Sequence, residues 1–165
     1  EIGSGLVGSE MCIRDRTVPL FEEKLVLVCS KDTAYEDGIL PSRLKSEDEI
    51  YIPWSDSFIM WHDYWFGNNS EVKVSLDNMA LLRQLLDLEK TWAIMPATIG
   101  KKLSQEGECR IVALENGPEY RTCYAIMGDR RNAAPLVMDF LQELLDTVKG
   151  IPEIRVLTEY IRQAP

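Results

Sequence analysis

Residues 72–96, VKVSLDNMALLRQLLDLEKTWAIMP, constrain the fold of this chain more than any other stretch. Apolar and polar residues alternate over 72–76, which is the period-2 pattern of a half-buried strand. Asp77 and Asn78 follow, and their side-chain oxygens suit the cap of a helix whose leucines recur at helical spacing as far as Glu89. The apolar run TWAIM then predicts a second strand, which ends at Pro96.

Strand, helix and strand in this order predict a βαβ unit. Such a unit places the N-terminus of its helix, with unpaired N–H groups and a positive dipole end, beside the carboxyl end of a strand. Small ligands bind at that edge in open α/β sheets. The segment therefore predicts the fold class, α/β, and also a position for a ligand site.

Composition narrows the function further. The 165 residues suit one domain or two small lobes that share a sheet, and 45% hydrophobic with 27% charged residues is typical of a globular protein. No apolar run approaches the ~20 residues that cross a bilayer. The formal net charge is −9 and no basic stripe offsets it. The chain itself is therefore not expected to bind the phosphate backbone of nucleic acids.

The sequence offers little that could carry catalysis or hold a metal. The four cysteines, Cys12, Cys29, Cys109 and Cys123, form no CxxC pair, which favours reduced, buried thiols in a cytoplasmic protein. His62 has no neighbouring metal ligand or nucleophile in the sequence, so we expect a packed or hydrogen-bonded role for it. There is no GxSxG elbow and no phosphate-binding glycine loop. We expect no cofactor, no metal and no enzymatic activity.

Strands and helices alternate through most of the chain, as in an α/β sheet. Besides the 72–96 segment, the expected strands cover 24–30, 49–54, 109–114 and 120–127. The expected helices cover 58–67, 96–105, 134–149 and 152–162, with a short helical turn at 42–47. Helix 134–149 should present one apolar stripe, from Leu136 to Val148, with Asn132 as its cap.

Three stretches in this order resemble the effector-binding domain of LysR-type transcriptional regulators. They are VPLFEEKLVLVCSKD (18–32), the 72–96 segment and RIVALENGPEYRTCYAIMGDRRNAAPLVMDFLQELL (110–145). In that family the helix of the middle stretch runs into a glycine-rich turn, whereas the turn here is Leu88-Glu89-Lys90-Thr91. The order and spacing of all three stretches carry the resemblance.

The resemblance implies a type 2 periplasmic-binding-protein-like fold, with a mixed sheet flanked by helices and one lobe largely missing. A small metabolite effector would bind between the lobes of a homo-oligomeric bacterial regulator, whose DNA binding resides in a missing N-terminal helix-turn-helix. Residues 25–115 would form one lobe, and 17–24 and 118–165 the crossover strands and the remnant of the other. Residues 1–16 resemble translated sequencing-adaptor sequence; a genuine flexible terminus is the alternative.

The candidate ligand residues lie in two strand-to-helix loops, which should emerge on the same edge of the sheet. Hydroxyl groups at a helix N-terminus suit a carboxylate, an aromatic ring can form an apolar wall, and Asp56 could pair with an amine. The alternative is that Asp56 or Ser57 only caps helix 58–67, and that Asp77 and Asn78 only cap the next helix. The resemblance places the first loop in the effector cleft. The expected ligand is a small carboxylate or amino-acid-like metabolite, held by Ser55, Asp56, Ser57, Phe58, Asp77 and Asn78.

Helix 58–67, FIMWHDYWFG, has nearly two apolar faces where a surface helix needs one. Either the helix lies deep in the core, or its second face binds a partner subunit. In the second case Trp61, Trp65 and Phe66 would be the interface anchors, because aromatic residues are enriched there.

Two other functions fit the same pattern. A stand-alone solute-binding protein of this fold would have a signal peptide upstream. An enzyme on this fold, such as a dehydratase or deaminase of small acids, would need convergent acid, base or nucleophile residues, and the sequence supplies no convincing set.

The net negative charge of this chain predicts that it does not bind DNA specifically by itself. A gel-shift titration at ~0.15 M salt tests this, because screening there leaves only short-range contacts effective. We expect no shifted band, and tight, sequence-dependent retardation of a duplex would contradict the prediction.

Overall fold

The computed structural model describes residues 16–79, 81–107, 109–127 and 135–158, in which strands and helices alternate. The strands are β1 Arg16–Glu23, β2 Leu25–Cys29, β3 Ile50–Tyr51, β4 Val74–Ser75, β5 Trp92–Pro96, β6 Arg110–Val112, β7 Arg121–Met127 and β8 Ile154–Val156. The helices are α1 Asp56–Phe66, α2 Leu82–Leu86, α3 Ala97–Gln105 and α4 Pro135–Val148. The chain divides into two compact units, Glu22–Arg121 and the remainder.

Strand β2 is the centre of the sheet in the larger unit. It pairs antiparallel with β5 on one side, where Leu25 meets Pro96, and with β6 on the other, where Leu27 meets Val112. Strands β3 and β4 pair in parallel, and a parallel bridge from Glu49 joins them to β5. The sheet is therefore mixed, as the resemblance implied.

The alternation of side chains along β2 separates two apolar layers. Leu27 points to the layer that contains Phe58 of α1, whereas Val28 points to the layer that contains the buried leucines of α2 and α3. Helix α3 approaches closely because Gly100 has no side chain: a Cβ there would lie 3.0 Å from a methyl group of Val28. The sheet thus has α1 on one face and α2 and α3 on the other.

The 72–96 segment keeps its expected order but not its expected lengths. Strand β4 covers two residues, and α2 is a five-residue helix that ends before Glu89. Lys90 has a φ of +59°, the left-handed conformation that glycine usually supplies at a helix end. Its N–H donates to both carboxylate oxygens of Asp32, at 3.1 and 3.0 Å, which holds the turn without glycine.

The smaller unit contains a three-stranded sheet in the order β7-β1-β8, with α4 packed on it. The predicted stripe of α4 divides: Leu141, Leu145 and Val148 are buried, whereas Leu136 and Phe140 are exposed. The helix predicted over 152–162 is wrong in its described part, because Ile154–Val156 forms β8. The β-branched Ile154 and Val156 suit an added strand, and the N–H of Leu157 donates to the carbonyl of Leu20. The cap proposed at Asn132 lies outside the described residues.

Lys90→Gly is expected to stabilise the protein by about 0.5–1 kcal/mol, because it removes the left-handed strain of a residue that carries a Cβ. Lys31→Gly is the matched control, since the backbone of Lys31 is not left-handed, and it should destabilise by a similar amount. Urea unfolding measures both changes in free energy. A loss of stability in Lys90→Gly equal to that of the control would contradict this account of the turn.

Candidate functional site

Two loops leave the sheet at one edge, where parallel strands end. Tyr51 in β3 lies opposite Ser75 in β4, and the N–H of Leu76 donates to the carbonyl of Tyr51 at 2.9 Å. Since the two strands run in the same direction, the segments after them begin side by side. The loop that leads to Ser55 and the loop that holds Asn78 therefore start from neighbouring positions, as the sequence predicted.

Ser55, not Asp56 or Ser57, caps α1. Its backbone is extended, and its Oγ accepts from the N–H of Phe58 at 3.1 Å. The prediction of a cap at Asp56 or Ser57 is wrong because both residues already lie in the first helical turn. The exposed Ser57 hydroxyl lies 3.0 Å from that of Ser55, so two hydroxyls meet at the helix start. The N–H groups of Asp56 and Ser57 have no partner inside the helix, as in any first turn.

Phe58 lies in the core beneath this turn. It is 1% exposed and stacks between Tyr51 and Trp61, with ring centroids 5.9 and 5.7 Å away. The aromatic side chain beside the site is instead the half-buried Trp54, whose indole N–H donates to the carbonyl of Ile94 at 2.7 Å. Sequence reasoning had not singled out Trp54, although it ends the same YIPW run that led to the serines.

Asp77 and Asn78 do not cap α2. That helix begins after Leu81, whose backbone is itself helical and whose side chain makes no cap hydrogen bond. The side-chain amide of Asn78 instead donates to the carboxylate of Asp77 at 2.8 Å, and both residues are exposed. An amide and a carboxylate thus stand on the loop next to the serines, and the predicted capping role is wrong.

A carboxylate of the chain itself occupies the N-terminus of α3. Glu23, 2% exposed, accepts from the N–H of Thr98 at 3.1 Å and from the hydroxyl of Thr98. Its other oxygen accepts from two nitrogens of Arg121, at 3.2 and 2.7 Å. The Arg121 guanidinium also lies 5.3 Å from the centre of the Trp54 ring. At this edge of the sheet, a helix N-terminus and a hydroxyl therefore already bind a carboxylate.

His62 is buried and hydrogen-bonded, as expected, and its partner is Glu49. The His62 Nε2 lies 2.8 Å from one carboxylate oxygen of Glu49, and the ring packs against Tyr51 and Phe66. The second oxygen of Glu49 is buried without a hydrogen-bond partner. Burial raises the pKa of Glu49, and the hydrogen bond from His62 opposes this only in part. The pair fixes α1 to the strand that precedes the site.

The three expected interface anchors on α1 point in different directions. Phe66 is half-buried, and its ring packs inward against Trp92, with the two ring centroids 5.6 Å apart. Trp61 is half-buried, and its indole N–H donates to the carbonyl of Asn116 at 2.7 Å. Trp65 borders the outer surface beside Tyr64, which is 79% exposed.

No disulfide joins the cysteines that the structure describes, of which Cys29 and Cys109 are buried and Cys123 is half-buried; Cys12 lies outside the described residues. Burial raises the pKa of Cys29 to about 12, which disfavours the nucleophilic thiolate. Among the described residues no cluster of histidine, cysteine and acidic side chains could hold a metal ion. Over the same ranges no helix is long and apolar enough to span a bilayer.

Comparisons with known proteins agree with this fold. The model of the LysR substrate binding domain matches residues 15–149, while no curated protein matches the chain. The chain is similar to the regulatory domain of MetR, a LysR family regulator from N. meningitidis (15% identity, TM-score 0.65, covering 91% of this chain and 72% of that one).

Two ligand-bound structures are similar as well. One is the effector binding domain of QuiR in complex with shikimate (15% identity, TM-score 0.61, covering 84% of this chain and 68% of that one). The other is the regulatory domain of Synechocystis PCC6803 CcmR in complex with 2-PG (18% identity, TM-score 0.61, covering 86% of this chain and 70% of that one).

The chain belongs to the LysR substrate-binding domain family, the effector-sensing domains of transcriptional regulators, which have a periplasmic-binding-protein-like fold. Domains of this family bind small effector molecules and oligomerise, and they are generally not enzymes.

The raised pKa of Glu49 predicts a pH dependence of stability. A carboxyl group whose pKa is higher in the folded than in the unfolded state favours folding at low pH, and this contribution is lost as the pH rises through the folded-state value. The free energy of unfolding should therefore fall as the pH rises above the usual glutamate value of 4.5. Glu49→Gln, which cannot ionise, should lessen that fall, as urea titrations at several pH values would measure.

His62→Ala should destabilise the protein by about 3 kcal/mol or more at neutral pH, because it leaves the Glu49 carboxylate buried without a partner. Tyr64→Ala on the same helix is the control and should change stability by less than ~0.5 kcal/mol. The assigned role of the pair would be contradicted by two results together. The free energy of unfolding would depend on pH equally in the wild type and in Glu49→Gln, and His62→Ala would leave that free energy unchanged.

Proposed function

We propose that the domain recognises a small carboxylate or amino-acid-like metabolite at the sheet edge where β3 and β4 end. The hydroxyls of Ser55 and Ser57 and the first N–H groups of α1 would bind the carboxylate. The Asn78 amide would reach it from the neighbouring loop, and Trp54 would supply an apolar wall. Shikimate and 2-PG in two similar structures support a small effector.

The observation that carries this proposal is the parallel pairing of β3 and β4. It brings two hydroxyls, an amide and a helix N-terminus from separate loops to one edge. The bound Glu23 at α3 supports the choice of ligand, because it is a carboxylate held by the same kinds of groups. At α3 the position is filled by the chain, whereas at α1 Ser57 is exposed.

Asp56 would distinguish amino acids from plain acids. This exposed carboxylate lies in the first turn of α1. There it would repel a second negative charge on the ligand, but it can pair with an ammonium group. Asp77 on the adjacent loop adds to the same effect. A ligand that carries both a carboxylate and an amine therefore fits this edge better than a dianion.

In the intact protein we infer a cytoplasmic, homo-oligomeric regulator whose DNA-binding helix-turn-helix precedes the present sequence. The effector would act by a population shift, binding one arrangement of the subunits more tightly than another. We also infer that the domain itself is not catalytic. Support comes from the burial of Cys29, which disfavours its thiolate, and from the pairing of the buried His62 with Glu49.

The double variant Ser57→Ala and Asn78→Ala should weaken effector binding at least tenfold, since a hydrogen bond to a charged group is worth ~1.5–3 kcal/mol. A thermal-shift screen of small carboxylates and amino acids, with shikimate included, would first find stabilising compounds, and calorimetry would then give their Kd. Ser42→Ala with Asn69→Ala, a pair of exposed residues elsewhere, is the control and should leave the Kd unchanged.

Asp56→Asn should distinguish the two ligand classes. It should weaken the binding of amino acids more than the binding of the corresponding acids without an amine. An unchanged Kd in the folded Ser57→Ala and Asn78→Ala variant would mean that the site lies elsewhere. A screen in which no small carboxylate stabilises the protein would contradict the proposed ligand class.

A further inference from the structure

The two loops that follow β3 and β4 carry no positive side chain. Residues 52–57 and 76–79 contain no lysine or arginine, and their charged side chains are the carboxylates of Asp56 and Asp77. A ligand carboxylate that is bound there by hydroxyl and N–H groups alone would lie close to two negative charges, which repel it. The charge of the ligand therefore needs a cation from another element of the fold.

Arg121, the first residue of β7, places a guanidinium group beside the first of these loops. Its central carbon lies 5.3 Å from the centre of the ring of Trp54, the residue directly before Ser55. The Trp54 ring is itself held by the hydrogen bond from its indole N–H to the carbonyl of Ile94. Arg121 and Trp54 belong to the same compact unit, Glu22–Arg121. Since arginine stacks on aromatic rings, the cation is positioned next to the loop before any ligand binds.

The guanidinium of Arg121 retains donors for a second carboxylate. Its Nε and Nη2 both donate to a single oxygen of Glu23, at 3.2 and 2.7 Å. Glu23 is buried, whereas 26% of the Arg121 side chain is exposed. Within the ranges that the structure describes, Nη1 donates no hydrogen bond to a protein atom. Because a guanidinium carries five N–H groups, Arg121 can bind an external carboxylate while it stays bound to Glu23.

We propose that Arg121 binds the carboxylate of the ligand and makes the site selective for it, an inference that rests on the function proposed above. The guanidinium would share this carboxylate with the Ser57 hydroxyl and the first N–H groups of α1. Glu23 is a positioning residue, which holds the guanidinium beside the Trp54 ring. With Asp56 on the same loop to receive an ammonium group, the preferred ligand is an amino acid whose carboxylate lies towards Arg121.

The test variant must not leave a buried charge unpaired. Removing Arg121 alone would deprive the buried Glu23 carboxylate of its cation, which is strongly destabilising. The variant therefore combines Arg121→Gln with Glu23→Gln, which removes both charges and retains an amide oxygen that can accept from Thr98. The matched control is Arg83→Gln with Glu106→Gln, which removes a surface ion pair with 3.6 Å between its charged atoms, at the opposite end of α3 from Thr98.

The probes are the proteinogenic amino acids and the small carboxylates of the screen described above, shikimate included. Each probe that binds the wild type is compared with its primary amide, which keeps the rest of the molecule but lacks the negative charge. The ratio of the two Kd values, amide over acid, measures the preference for the carboxylate. This ratio should fall at least tenfold in the Arg121→Gln and Glu23→Gln variant and should stay unchanged in the control. Circular dichroism verifies that both variants fold.

A second measurement needs no substitution. The side-chain N–H signals of Arg121 in nitrogen-15 NMR should shift when an acid that binds is added, and its amide should cause no comparable shift. Arg83 signals should not change with either compound, because that residue lies on the exposed surface of α2.

Two results would overturn the role of Arg121 and leave the proposed site standing. One is an unchanged ratio of Kd values in the folded Arg121→Gln and Glu23→Gln variant, while Ser57→Ala with Asn78→Ala still weakens binding. The other is an equal loss of affinity for acid and amide, which would show that the Glu23 and Arg121 pair only maintains the fold. A wild type that binds none of the probes would contradict the proposed function itself, and this inference with it, before any substitution is made.

Discussion

The central constraint in this structure is the direction of strand β3. Because β3 runs parallel to β4, the chain leaves the sheet at the same edge after both strands. The helices that follow, α1 and α2, pack on opposite faces of the sheet. The edge thereby collects Ser55, Ser57 and Asn78 from distant parts of the sequence. The buried pair of Glu49 and His62 fixes α1 to this strand, so the position of the serines depends on a contact inside the core.

The same edge shows why carboxylates are suitable ligands. At α3 the carboxylate of Glu23 receives an N–H and a hydroxyl from Thr98, and Arg121 neutralises its charge. At α1 the cap is a neutral serine, and the exposed Asp56 in the first turn would favour a ligand that carries an amine beside its carboxylate. Two helices of one sheet thus use similar chemistry, one for an internal group and the other, in our proposal, for an effector.

Local patterns in the sequence predicted the order of elements because alternation and helical spacing reflect burial directly. They predicted β2, β5, α3 and the shared sheet edge. They did not predict the short length of α2, and they predicted a helix where β8 forms, because both depend on contacts with distant parts of the chain. The hydrogen bonds of Glu23 to Thr98 and Arg121 span sequence separations of 75 and 98 positions. No local sequence pattern indicates such a pair. Lys90 likewise adopts a left-handed conformation in a turn where the distant Asp32 accepts its N–H.

Backbone amide shifts in nitrogen-15 NMR test the central claim most directly, because they locate a bound ligand without any substitution. During titration with a carboxylate that stabilises the domain, the largest shifts should fall on residues 54–58 and 76–79. Shifts concentrated instead around 24–27 and 111–114, which line another cavity of about 470 Å³, would contradict the assignment of the ligand site to the edge formed by β3 and β4.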